Sequence, residues 1–178
     1  MHIMIDLETM GTRPSAAIVS IGAVVFDEHT LRDQFYAVVD LQSAIDSGAT
    51  VGGGTVMWWL RQSENARLAL TDQASTRPIR EVLSDFDSFV HRAEGYNLEG
   101  VWGNGAAFDN VVLAESYRRL DTEPPWPFWL DRCYRTMKNL HTSVPVKHTG
   151  TAHNALDDAM SQADHALKIL AHTGLPLA

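Results

Sequence analysis

The chain has 178 residues, of which 45% are hydrophobic and 20% are charged, and this composition is typical of a globular protein with a substantial core. No apolar stretch reaches the roughly 18 residues that a membrane-spanning helix needs, and the first residues do not resemble a secretory signal. We therefore expect a single cytoplasmic domain over residues 1–178 with no membrane partner. The net charge of -8 is unlike that of a general nucleic-acid binder, although cations held by acidic ligands would reverse the local field.

The first 40 residues predict three strands. Residues 2–8 read as the first strand, residues 16–27 as a longer one rich in β-branched side chains, and residues 34–39 as the third. The connections between them are short, which favours antiparallel pairing.

The middle of the chain predicts helices and one short strand. A helix follows the triple glycine at 52–54, with Thr55 as its cap, and a second helix starts at Pro78 and carries one apolar stripe. Residues 100–102 predict a strand and residues 108–120 a helix.

The last third of the sequence predicts a strand near residues 128–130, then a helix that carries basic residues, then a loop at 143–152. A long amphipathic helix follows from 154 to about 172 and is closed by Gly174 and Pro176. Three strands, several helices and then strand–helix–strand–helix indicate an α/β fold, a mixed sheet with helices on its faces.

Several positive charges lie in this last third: Arg132, Arg135 and Lys138 at helical spacing, with Lys147 and His148 shortly after. They form either a solvated helix face or an edge that contacts phosphate. The single cysteine, Cys133, excludes an intramolecular disulfide, and we interpret it as a small core residue.

Two acids, Asp6 and Glu8, stand at the carboxyl end of the first predicted strand. Side chains alternate along a strand, so both lie on the same side of it, where their charges repel. A solvated face is one explanation. The other is a bound divalent cation, since hard cations bind carboxylate oxygens and the carboxyl ends of strands in open α/β sheets are where ligands bind.

Further acids begin two of the predicted helices. Asp109 starts the helix at 108–120, and Asp157 and Asp158 lie in the first turns of the last helix, which Asn154 can cap. Acids at a helix start complement the helix dipole, and we accept that reading for Asp157. His153 precedes the same helix, so it and Asp158 can reach one end of the domain together.

In chain order these motifs resemble the DEDDh exonucleases, a superfamily built on a ribonuclease H-like fold. The resemblance spans nearly the whole chain, and within the superfamily it is strongest to small phage-type and bacterial ribonuclease T-like enzymes. The three matching motifs are Asp6-Leu7-Glu8-Thr9, Asn104-Gly105-Ala106-Ala107-Phe108-Asp109 and His153-Asn154-Ala155-Leu156-Asp157-Asp158.

The resemblance implies a mixed sheet of three antiparallel strands followed by two parallel ones, flanked by helices. It implies 3′-to-5′ hydrolysis of single-stranded DNA or RNA to nucleoside monophosphates. Two divalent ions, Mg²⁺ or Mn²⁺, would be bound by Asp6, Glu8, Asp109 and Asp158, and His153 would be the general base.

The resemblance also suggests a set of substrate-binding residues: Leu7, Thr9, Met10, Asn104 and Phe108. Many family members have an asparagine four residues before Asp109, where this chain has Gly105. Core packing is the alternative for Phe108.

Four tryptophans, Trp58, Trp59, Trp126 and Trp129, are candidates for base stacking, with core or interface packing as the alternative. A homodimer is possible. Other functions that we consider are a non-catalytic nucleic-acid-binding module of the same fold and a two-metal endonuclease or phosphatase.

Overall fold

The computed structural model describes residues 1–71, 75–95 and 97–174. Its strands are β1 (His2–Thr9), β2 (Ile18–Phe26), β3 (Leu31–Val39), β4 (Thr76–Arg77), β5 (Gly100–Gly103) and β6 (Asp131–Cys133). Its α-helices are α1 (Leu41–Asp46), α2 (Gly53–Trp59), α3 (Glu64–Thr71), α4 (Ile79–Glu94), α5 (Asp109–Arg119), α6 (Tyr134–Leu140) and α7 (Ala155–Thr173).

The strands described form one mixed sheet in the order β4-β3-β2-β1-β5-β6. The neighbours β1, β2 and β3 pair antiparallel, and β5 and β6 continue the sheet parallel to β1. The predicted arrangement of three antiparallel and two parallel strands is therefore confirmed. The two-residue strand β4, parallel to β3 at the other edge, was not predicted.

Helices cover both faces of the sheet. On one face α4 and α5 pack against β1, β3 and β5, and the apolar stripe predicted after Pro78 lies in that core, with Val82, Phe86 and Phe89 fully buried. On the other face α7 crosses β1, β2 and β3, and its alanines at 159, 163 and 166 pack against Met4 and Val24. The small alanine side chains bring α7 close to the sheet.

The prediction of a strand near residues 128–130 is wrong. Residues Phe128–Leu130 form a 3₁₀ turn, and the strand that pairs with β5 is β6, three residues later. The proline-rich segment at 124–127 precedes the turn, and its prolines cannot donate to a sheet ladder, although the aromatic residues that follow favour a strand. Cys133 is half-buried in this edge strand, so its interpretation as a core residue is also wrong.

One of two predicted helix caps differs from the structure. Helix α2 begins at Gly53, with Gly52 as its N-cap residue, so Thr55 lies inside the helix and does not cap it. The last helix has Asn154 as its N-cap, with the side chain accepting from the backbone N–H groups of Leu156 and Asp157, as predicted. Gly174 ends it with a φ of 67°, and Pro176 lies outside the described residues.

Gly22 allows the start of α7 to reach the sheet. It pairs with Asp6 across β1 and β2, and a Cβ atom at this position would lie well under 3.0 Å from the backbone of Ala155. Real Cβ atoms do not approach other atoms so closely, so any side chain here would push the helix away. The contact places the first turn of α7 directly above the acids of β1.

Candidate active site

The acids of β1 lie under α7. Asp6 and Glu8 have 9% and 8% of their surface exposed, which is low for carboxylates. Both are on the face of β1 that carries Met4, and that face packs against α7. The two acids therefore lie on the same side of the strand, as their spacing predicts.

Asp109 approaches from the neighbouring strand. It is the first residue of α5, six residues after the end of β5, and only 3% of its surface is exposed. The backbone N–H of Leu7 donates to its Oδ1 at 3.3 Å, which ties the carboxylate to the end of β1. The chain folds back here because β5 lies parallel to β1, so the two carboxyl ends meet at the same edge.

Asp158 and His153 lie at the start of α7. Asp158 lies in the first turn of the helix, and its Oδ2 accepts from the backbone N–H of His153 at 3.0 Å. His153 has a φ of 65°, in the left-handed region, so the chain turns sharply just before the helix. Within the described residues, Glu8, His153 and Asp158 each offer a ligand atom, and the three atoms lie within 4.8 Å of one another.

These side chains line a cavity of about 360 Å³, which we call the acidic cavity. It brings together the five residues predicted to be catalytic: Asp6, Glu8, Asp109, His153 and Asp158. Asp157, which we assigned to the helix start alone, does not line it. The Asp157 carboxylate instead accepts from the backbone N–H of Thr151 at 2.7 Å and holds the preceding loop.

Burial raises the pKa of three carboxyls of the cluster, and mutual repulsion adds to the rise for Glu8 and Asp6. Burial, followed by the charges of Asp158 and Asp109, raises the pKa of Glu8 to about 8. Burial raises the pKa of Asp109 to about 7, although hydrogen bonds from Leu7 N–H and other backbone groups oppose the change. The pKa of Asp6 is raised well above its ordinary value, mainly by burial and then by the charges of Asp109, Glu8 and Asp158. Such a cluster favours either protons or a cation.

The donor set fits hard divalent cations. Carboxylate oxygens are the ligands that Mg²⁺ and Mn²⁺ prefer, and the described residues of the cavity include no thiolate that would favour zinc. The side chain of Gln162 supports the fit. Its Nε2 donates to Asp6 Oδ1 at 2.7 Å, while its buried Oε1 has no partner. A buried acceptor without a partner, in the side chain that holds Asp6, fits a site whose remaining partner is the water of a hydrated cation.

A larger cavity of about 790 Å³, which we call the tryptophan cavity, adjoins the acidic cavity. Its lining includes Trp58 and Trp59, and it shares Leu7, Glu8 and Phe108 with the acidic cavity. The two cavities therefore form one groove that passes over the end of β1.

The predicted substrate-binding residues divide between these cavities. Leu7 and Phe108 line both, Thr9 lines the tryptophan cavity, and Asn104 lines the acidic cavity. Met10 lines neither. It faces a separate cavity of about 590 Å³ and packs against the core.

The four tryptophans have different environments. Trp58 is 42% exposed, and its ring centroid is 4.9 Å from that of His153, edge to face. Trp59 is buried, and its Nε1–H donates to Thr9 O at 3.0 Å. Trp126 is also buried and donates to the Asp131 carboxylate, whereas Trp129 is 66% exposed beside Phe128. Only Trp58 and Trp59 of the four therefore adjoin the predicted site.

Two residues of the site were not assigned from the sequence. Gln162 lies four residues after Asp158, so the helical period alone places both on one face of α7. His148 is on the loop before α7, and its Nε2 lies 2.6 Å from Asp158 Oδ1. No spacing rule predicts this second contact, because the loop is held by tertiary bonds such as that between His165 Nε2 and Val144 O at 2.9 Å.

Of the three basic residues predicted to lie on one helix, two do so. Arg132 lies in β6, and its guanidinium donates to the backbone oxygens of Trp129 and Glu99. Arg135 and Lys138 lie in α6 and line the acidic cavity.

The fold and the acidic cluster are those of a nuclease of the ribonuclease H-like class, and the following similarities identify a DEDDh 3′-5′ exonuclease. Solved structures share the fold. The nuclease domain of 3′hExo, a DEDDh family member bound to rAMP, matches with a TM-score of 0.63 at 16% identity, over 97% of this chain and 92% of that one. Exonuclease X in complex with 5′ overhanging duplex DNA matches with a TM-score of 0.59 at 20% identity, over 98% and 94% of the two chains.

Sequence comparison gives the family. Residues 1–170 match the model of the 3′-5′ exoribonuclease Rv2179c-like domain, and the chain belongs to that family. The exodeoxyribonuclease of Enterobacteria phage T4 is 25% identical, over 75% of this chain and 68% of the phage protein. Among the helices described, none is both long and apolar enough to cross a membrane.

Proposed function

We propose that this 3′-5′ exonuclease is a one-domain enzyme that removes nucleoside monophosphates from single-stranded DNA or RNA, using two divalent cations and a histidine general base. The observation that carries the proposal is the convergence of Glu8, His153 and Asp158, whose ligand atoms lie within 4.8 Å of one another beside Asp6 and Asp109. A carboxylate cluster buried beside an imidazole is suited to hydrolysis assisted by cations.

Asp6, Glu8, Asp109 and Asp158 would hold the cations, which we take to be Mg²⁺ or Mn²⁺ because of the oxygen donors. When bound, these ions supply positive charge for the attacking water and for the leaving 3′ oxygen. Other groups of the protein orient these carboxylates. Gln162 orients Asp6 through its 2.7 Å hydrogen bond, and the backbone of Leu7 orients Asp109.

We assign the role of general base to His153. Its backbone is fixed by the bond from its N–H to Asp158, and its ring packs roughly perpendicular to that of Trp58, so the imidazole is positioned without being buried. A neutral imidazole accepts a proton near neutral pH. His148 also contacts Asp158, on the other carboxylate oxygen, and is therefore the residue with which His153 must be compared.

The sugar of the substrate is a separate question. The family description names an exoribonuclease, whereas the phage T4 relative is named an exodeoxyribonuclease, so both polymers are proposed substrates. Leu7 and Thr9 would contact the terminal nucleotide, with Phe108 beside it. We retain the homodimer as a proposal, which light scattering of the purified protein tests directly.

One assay tests the function. Matched single-stranded DNA and RNA oligonucleotides, each labelled at the 5′ end, are digested with Mg²⁺ and then with Mn²⁺. We expect a ladder of products that shortens from the 3′ end. Early internal fragments would instead indicate an endonuclease. If calorimetry detects binding of neither Mg²⁺ nor Mn²⁺, the cation site is refuted and the non-catalytic binding module becomes the better interpretation.

A further inference from the structure

The groove over the end of β1 has a different character on each side of the acidic cluster. The tryptophan cavity presents the exposed indole ring of Trp58, with the ring of Phe108 and the buried Trp59 beside it, as a surface on which a base can stack. The acidic cavity is polar, and of the described residues that line it, Arg135 and Lys138 are the two that carry a Lys or Arg charge. Arg13 lines the tryptophan cavity as well, so the two sides differ in their aromatic surface, which is suited to a base, and in the pair of positive charges beside the carboxylates, which is suited to an anion.

Arg135 is held at the wall of the acidic cavity. Its Nη2 donates to the backbone oxygen of Asn104 at 2.6 Å. Gly105 has a φ of 122°, and a Cβ atom added there would lie 3.5 Å from Arg135 Cζ, so the guanidinium covers the glycine backbone. Arg135 and Asp109 both line this cavity, so the guanidinium belongs to the same site as the carboxylates.

Lys138 lies one turn further along α6. Its Nζ is 5.4 Å from the centroid of the Tyr134 ring, and the side chain is half-buried. With Arg135 three residues earlier, it places two positive charges on the same wall. An arginine fork and a lysine ammonium together form a typical site for a phosphate oxygen.

We propose that Arg135 and Lys138 bind the phosphate immediately on the 5′ side of the scissile phosphate. The substrate backbone then leaves the site over α6, while the terminal nucleoside lies in the tryptophan cavity. This inference rests on the proposed function and adds the direction in which the nucleic acid crosses the groove. The buried carboxylates repel a second phosphate, so positively charged side chains are needed on that side of the groove.

The test uses an oligonucleotide in which only this upstream linkage is a neutral methylphosphonate. With the unmodified substrate we expect Arg135→Ala to raise KM about 10- to 100-fold, with kcat nearly unchanged, because a charge-assisted bond common to ground and transition state is lost. With the methylphosphonate, wild type and Arg135→Ala should have similar KM values. Lys138→Ala should behave in the same way with a smaller effect.

Arg13 provides a matched control, because it is an arginine that lines the tryptophan cavity. Any effect of Arg13→Ala should be equal on the two substrates. An effect of Arg135→Ala that is equally large on both would overturn the assignment of the upstream phosphate and leave the exonuclease function intact. If the wild type digests neither substrate, the proposed function fails, and this inference fails with it. Thermal unfolding and Mn²⁺ calorimetry of each variant exclude a folding or metal-site defect, and Arg135→Lys should restore part of the KM.

Discussion

Replacing Glu8 with glutamine should stabilise the metal-free protein at alkaline pH. The pKa of the Glu8 carboxyl is raised from 4.5 to about 8 by burial and by the charges of Asp158 and Asp109. A carboxyl whose pKa is higher in the folded state holds its proton longer there than in the unfolded chain. Its contribution to stability is therefore complete below pH 4.5 and is lost as the pH rises through about 8.

The size of this effect follows from the pKa interval. Between 4.5 and about 8, at roughly 1.36 kcal/mol per pH unit, the linkage reaches at most about 5 kcal/mol of unfolding free energy. From pH 5 to pH 8 the wild type should therefore lose up to about 4 kcal/mol more stability than Glu8→Gln. Glutamine keeps the size of the side chain and removes only the titration.

The assay is urea unfolding in EDTA at half-unit pH steps, followed by circular dichroism. Glu28 is an exposed acid, so Glu28→Gln is the matched control and should follow the wild type at every pH. Mn²⁺ added at pH 8 should stabilise the wild type and have much less effect on Glu8→Gln. Parallel curves for the wild type and Glu8→Gln would refute the reasoning, because they would show that Glu8 ionises in the fold as freely as in the unfolded chain.

Three further predictions concern α7, the loop before it and the strand on which α7 packs. Asp158→Asn should abolish hydrolysis and sharply weaken Mn²⁺ binding in calorimetry while circular dichroism shows an intact fold; substantial activity in the folded variant would refute the ligand assignment. His153→Ala should lower the rate about 10²- to 10⁴-fold, as expected for loss of a positioned general base, whereas His148→Ala should lower it much less. If His148→Ala has the larger effect, the roles of the two histidines are reversed. Gly22→Ala should cost about 3 kcal/mol or more in denaturant unfolding, because its Cβ would collide with the backbone of Ala155; a cost near zero would contradict the close approach.

The parts of the site that were predictable carry local signals. The acids of β1 are visible because they interrupt an apolar strand just before it ends, and the cap at Asn154 is visible because asparagine there precedes a long amphipathic stretch. These signals depend on residues close in sequence. They were enough to predict the mixed sheet and the approximate positions of Asp109 and Asp158.

The parts that were missed depend on contacts between distant residues. Strand β4 has two residues and exists because it pairs with the end of β3, a partner about 38 residues earlier in the chain. The segment at 128–130 contains apolar and aromatic residues that suit a strand, but pairing with β5 begins only at Asp131. Likewise, the contact between His148 and Asp158 requires the loop conformation and cannot be read from spacing.

The register between β1 and β2 connects the fold to the chemistry. Asp6 pairs with Gly22 across β1 and β2. Its carboxylate therefore lies next to the glycine on which the backbone of α7 packs directly. This close packing brings Gln162 Nε2 to 2.7 Å from Asp6 Oδ1. It also brings a carboxylate oxygen of Asp158 within 4.8 Å of one of Glu8. A shift of one residue in this register would turn both acids of β1 to the opposite face, away from α7. The same pairing that builds the sheet therefore decides whether the four carboxylates meet.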